Sequence, residues 1–113
     1  MRIKLAFVLF GLFLCGWVFA EGVEFDMSKD EQAIVDQTNA ERAKAGRSAL
    51  KPNAVLFSVA RKHAATMSKL NKLEHRINGK NSSNRVDDAG YKWTTVSENI
   101  AWNQRSVEEV MSG

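Results

Sequence analysis

The apolar positions fall into two regimes. Leu5 to Ala20 is an uncharged and largely apolar run, with Arg2 and Lys4 just ahead of it. After it the spacing becomes that of half-buried elements. Ser28-Lys29-Asp30-Glu31 forms a capping-box pattern, which predicts a helix running to about Ala45 with Gly46 as its terminator. Ile34 and Thr38 share one face of that helix, with Asn39 and Arg42 beside it. Pro52 and Asn53 then open a second helix, expected from Ala54 to Leu73 because Leu56, Ala60, Ala64, Met67 and Leu70 recur at steps of three and four. Residues 76–83 are polar, contain Gly79, and read as an exposed loop. Ser83 is expected to cap a short helix that stops at Gly90. Tyr91, Trp93 and Val96 suggest a strand-like segment, continued by Glu98 to Trp102. Ser106 to Glu109 is a second capping-box pattern, with Val107, Val110 and Met111 behind it.

The first regime reads as a signal peptide over residues 1–20. Val18-Phe19-Ala20 offers a cleavage site, and Glu21 would begin the mature chain. Its sixteen uncharged residues fall short of the roughly 20 that a membrane span needs. No stable span is therefore expected after cleavage, and the body is expected to be secreted, either extracellular or periplasmic. Cys15, the only cysteine, lies in the leader and would leave with it. A lipoprotein attached through Cys15 is the disfavoured alternative, because Leu14 stands where a small residue would be needed. Residues 21–27 form a lead-in, and 28–113 carry the folded body.

Composition changes the picture once the leader is set aside. The remaining 93 residues hold fourteen basic and thirteen acidic side chains, a net charge of +1. That excludes a body held to nucleic acid by charge alone, and the length excludes a multidomain enzyme. The final helix has room for about two turns, too few to offset its nucleation cost. The body is therefore expected to be the front part of a longer domain.

The order of motifs resembles one known family. Asn39-x-x-Arg42 is followed by Ala45-Gly46, Leu50-Lys51 and Ala60-x-x-His63-Ala64-x-x-Met67. Then come Leu73-Glu74-His75, Asp88-Ala89-Gly90-Tyr91 and Glu98-Asn99-Ile100-Ala101. This set, over about residues 31–111, is similar to the CAP superfamily, also called the SCP or pathogenesis-related-1 domain, in its compact, cysteine-poor bacterial form. The resemblance implies an α/β fold, an α-β-α sandwich with helices on both faces of a sheet, of which this chain would supply the N-terminal part only.

The resemblance also implies a cleft. His75 and Glu98 match its first histidine and first glutamate, and an imidazole with a carboxylate is an ordinary ligand pair for a divalent metal such as zinc. Zinc sites generally use three or four protein ligands, so a site of two would be weak and no cofactor is expected to be required. Ser97 stands where relatives carry glycine, and Arg76 where they carry a small hydroxyl residue; a guanidinium there opposes a cation. His63, Asn39, Arg42 and Asn99 are expected to be structural. Glu98 could instead pair with Arg76 or Arg85. Trp93 is expected in the core, and Trp102 could line a cleft rim, the weaker of its readings.

The expected function is a secreted binding or interaction domain, with a lipid, a sterol, a surface component or an extracellular protein as partner, and not nucleic acid. A metal-dependent hydrolase or protease using His75 and Glu98 is the alternative from another class. No catalytic residue is assigned: the chain has neither a His-Glu-x-x-His signature nor a phosphate-cradling glycine loop. A fragment without function of its own is the third.

Overall fold

The structure is a computed structural model in which residues 25–113 are described; the leader, its cleavage site and Cys15 lie outside the described residues. The first helix, α1, spans Lys29–Lys44. The Ser28 hydroxyl accepts from the Glu31 backbone N–H at 3.1 Å, and the Glu31 carboxylate accepts from the Ser28 N–H at 2.8 Å, so two orphan donors at the helix start are satisfied together. Gly46, at φ +68°, ends it: the Arg47 N–H reaches the Arg42 carbonyl and the Gly46 N–H the Ala43 carbonyl.

The connector to the second helix is held by side chains of α1. Asn39 clips the backbone of Leu50 on both sides, donating to its carbonyl at 3.0 Å and accepting from its N–H at 2.7 Å. The Arg42 Nε donates to the Ser48 carbonyl at 2.8 Å. The lead-in is tied down as well. The Phe25 ring lies 4.9 Å from that of Phe57, and Arg61 bridges the Asp26 carbonyl and the Glu31 carboxylate. Hydrogen bonds from Arg61, then from the Ser28 backbone, hold the Glu31 carboxyl down at about 2.

Helix α2 spans Ala54–Leu70 and is capped by Asn53, whose side chain accepts from the N–H groups of Val55 and Leu56. It stops short of Leu73 because Asn71 turns left-handed at φ 55°, and the Lys72 N–H then closes onto the Met67 carbonyl at 3.0 Å. Helix α3 spans Ser82–Asp88. Its cap is Asn81 rather than Ser83, since Asn81 and Asn84 exchange side-chain and backbone hydrogen bonds. Between α2 and α3, Ile77 and Lys80 pair around Asn78-Gly79, both central residues at positive φ, in the two-residue hairpin turn that Asn-Gly favours. Helix α4 spans Val107–Ser112. Ser106 accepts from the Glu109 N–H there, but the Glu109 carboxylate reaches back to the N–H of Arg105, so the box is not closed on Ser106.

The α/β sandwich expected from the sequence is overturned. The described residues form four helices and no strand, and the Ile77–Lys80 pair is an isolated bridge. A strand exists only where its backbone groups meet a partner. Tyr91 to Trp102 runs without helix or strand, and no described segment lies alongside to pair with it. Trp93 is not a core residue either. It is 40% exposed, and its indole N–H donates to the Asp87 carboxylate of α3 at 2.7 Å. The buried apolar side chains among the described residues are Met67 of α2, Ile77 of the turn and Val86 of α3, with His63 the buried polar one. Helix α1 packs on α4 and α2 packs on α3. No helix of the described residues is long and apolar enough to cross a membrane.

With so little apolar core, the polar clips carry much of the order between elements. Replacing Asn39 by Ala is expected to lower the unfolding free energy by about 1 kcal/mol, since both Leu50 groups lose their partner but stay within reach of water. Asn39→Asp, which keeps the acceptor alone, should fall between the two. Urea denaturation followed by circular dichroism checks the order.

Candidate functional site

Three side chains from three parts of the chain converge on one carboxylate. Glu98, on the extended segment, accepts through Oε1 from His75 Nδ1 at 2.9 Å and through Oε2 from Arg85 Nη2 of α3. His63 Nε2, on α2, stands 3.8 Å from the same Oε1. Arg85 is more than a counter-ion. Its Nη1 also donates to the His75 carbonyl at 2.9 Å and the Lys80 carbonyl at 3.1 Å, so it braces both ends of the turn that presents His75. The Arg85 Nε is buried and has no hydrogen-bond partner among the described residues.

The partners settle which atoms carry protons. His63 is 4% exposed, and its Nε2 lies 3.0 Å from the Glu74 carbonyl. A carbonyl only accepts, so Nε2 carries the hydrogen and donates. His63 thus pins the loop after α2 back onto the helix. His75 is 58% exposed, and its Nδ1 faces a carboxylate. Burial pushes the Glu98 carboxyl up, but hydrogen bonds from Arg85 and His75, with the charges of Arg85 and His63, more than reverse that and hold it below the usual carboxylate range. An ionised carboxylate accepts, so His75 donates from Nδ1, and in the neutral ring Nε2 keeps its lone pair.

Those assignments bear on the zinc expectation. Both Glu98 oxygens accept and the His63 Nε2 donates within the protein, while no hydrogen-bond partner among the described residues meets His75 Nε2 or His63 Nδ1. No group of three or more histidine, cysteine, aspartate or glutamate side chains with metal-holding geometry occurs among the described residues.

The other singled-out residues lie apart. Asn39 and Arg42 act on the connector between α1 and α2. Asn99 is exposed, and Trp102 is 43% exposed. Asn99 and Glu98 both border an open groove of about 1050 Å³. Ile34 and Val35 of α1, Leu56, Phe57 and Val59 of α2, and Trp93 of the extended segment line its apolar walls. Arg85 was named from sequence only as one of two guanidiniums that could meet Glu98. Its spacing of thirteen residues from Glu98 matches no local helix or strand period, and so gave no means of choosing it over Arg76.

Replacing Arg85 by Gln is expected to move the Glu98 titration upward, read by carboxyl carbon chemical shifts, because burial is then less opposed. A carboxyl depressed in the fold adds stability above its unfolded value, and that stability is lost as pH falls through the folded value. Arg85→Gln should flatten that acid-side loss. An unchanged Glu98 titration would contradict the ion pair.

The sequence profile of the CAP, or cysteine-rich secretory protein, family matches residues 35–113. No curated protein and no solved structure matches the chain. The profile takes in both histidines, Arg85 and Glu98, along with α2, α3 and α4 entire. On a match over most of its length, the chain belongs to the cysteine-rich secretory protein (CAP) family.

Proposed function

We propose that this chain is an exported binding module that holds a small apolar ligand, a lipid or a sterol, in the groove between α1, α2 and the extended segment. One observation carries the reading: about 1050 Å³ of open groove with walls of Ile34, Val35, Leu56, Phe57, Val59 and Trp93. Ligand sites are typically concave and mostly apolar, with a few polar groups that fix orientation, and hold roughly 300–1,000 Å³. Here the polar groups that line it include Glu31 and Arg61 from the helices and Glu98 from the extended segment. An elongated apolar body would lie along the walls, and a hydroxyl or other donor on it would meet the carboxylates.

The geometry favours binding over hydrolysis. A carboxylate serves as a general base only as far as its basicity allows. Both Glu98 oxygens already accept, and the Arg85 partner keeps the carboxylate ionised and weakly basic. Glu98, oriented by His75 and Arg85, is the member of that cluster that would meet a ligand in the groove. The reading routes no step through a metal. Export follows from the leader-like first twenty residues and supplies the setting in which such a ligand would be met.

A fluorescent polyunsaturated fatty acid and a fluorescent sterol serve as probes. Saturable binding at one site per chain is expected, with Val59→Asp weakening it at least tenfold because a carboxylate is set into an apolar wall. Circular dichroism of the variant controls for folding. Non-saturable uptake, or equal binding by the folded variant, would contradict the groove as the site.

A further inference from the structure

The turn that closes α2 carries a surface the groove does not use. Leu70 and Leu73 are 43% and 44% exposed, large apolar side chains three positions apart. Lys69, Lys72 and Arg76 interleave with them and are all exposed. The ion pairs among the described residues engage Lys44, Arg61, Lys80 and Arg85, and none involves Lys69, Lys72 or Arg76. Glu74 is the single acidic residue in the stretch, and its backbone carbonyl is held by His63. Eight consecutive residues, 69–76, therefore hold three cations against one anion around two uncovered leucines.

The segment is also held in place. Asn71 sits at φ 55°, the Lys72 N–H closes on the carbonyl of buried Met67, and the Asn71 N–H closes on that of Ser68. Further along, the His63 bond to the Glu74 carbonyl and the Arg85 bond to the His75 carbonyl fix the chain again before buried Ile77. The turn that carries Leu70 and Leu73 is thus braced at both ends, with each leucine a little over two-fifths exposed. Aliphatic side chains set among unpaired cations match a surface that is apolar underneath and anionic on top. Nucleic acid would satisfy the cations but leave the leucines without a partner, and the stretch has no aromatic ring for base stacking.

We infer that the α2 turn, residues 69–76, docks on anionic lipid bilayers, with Leu70 and Leu73 entering the acyl boundary and Lys69, Lys72 and Arg76 on the headgroups. Each of the three cations contributes to partition as a basic residue near a charged membrane does, roughly fivefold. The two leucines add a salt-independent share.

The test is co-sedimentation of the full chain with phosphatidylcholine vesicles and with vesicles that also contain phosphatidylglycerol. The leader is present in every arm, so its own lipid affinity cancels in the comparison between variants. The expected result is tighter partition on phosphatidylglycerol vesicles, cut roughly fivefold for each of Lys69→Gln, Lys72→Gln and Arg76→Gln. The pair Leu70→Ser and Leu73→Ser should lower partition on both vesicle types while leaving the salt dependence intact. Variants with unchanged circular dichroism and unchanged partition would overturn the inference. Equal capture by soluble polyphosphate, insensitive to the leucine pair, would overturn it in favour of a general polyanion surface. Because Val59→Asp leaves this turn untouched, loss of probe binding and loss of vesicle binding can be told apart.

Discussion

The arrangement depends on keeping one half-buried carboxylate ionised. Glu98 takes hydrogen bonds from His75 and Arg85 and lies near His63. Those residues come from the loop, α3 and α2, while Glu98 comes from a segment with no pairing of its own. An apolar core of Met67, Ile77 and Val86 is too small to fix that many pieces by burial. Charge-assisted hydrogen bonds are directional and stronger than neutral ones, so a single ionised centre can set the register of an otherwise loose segment. Without its cations, the same carboxylate would have to take up a proton or move to water.

The sequence revealed local structure well and long-range structure poorly, for a physical reason. Helix starts are short-range contracts between a side chain and N–H groups two or three residues on, and Ser28, Asn53 and Ser106 act where their spacing suggests. Stops were harder. Asn71 is not a glycine, so its left-handed turn gave no clear signal, and the periodic pattern ran on to Leu73. The Asn78-Gly79 hairpin turn was legible in principle, yet the surrounding polar residues suggested only a loop. Alternation at Tyr91, Trp93 and Val96 suggested a strand, but alternation reports which side chains suit a pleated surface and not whether a partner exists. Trp93 instead found Asp87. Arg85 was the hidden part of the site, since its choice of Glu98 over any other acid depends on how α3 lies against the loop.

Site and groove share Glu98, which joins the electrostatics of the cluster to the apolar trough. The carboxylate that orders the extended segment therefore also sets one wall of the groove, because Trp93 and Val96 sit on the same stretch. The α2 turn is linked to the same cluster from its other side, through His63 and the Glu74 carbonyl. A buried histidine that donates to a loop carbonyl is ordinary packing. Here it ties the cationic, leucine-bearing turn to α2, the helix that also lines the groove.

The most direct test of Glu98 as the organising centre is a double-mutant cycle on the unfolding free energy, with Arg85→Gln, Glu98→Gln and the two combined. The account predicts a coupling of about 1–3 kcal/mol, because each single change leaves a half-buried charge without its partner. Losses that simply add, to within about 0.5 kcal/mol, would show that the two side chains act independently. The extended segment would then have to be held by something other than the ion pair.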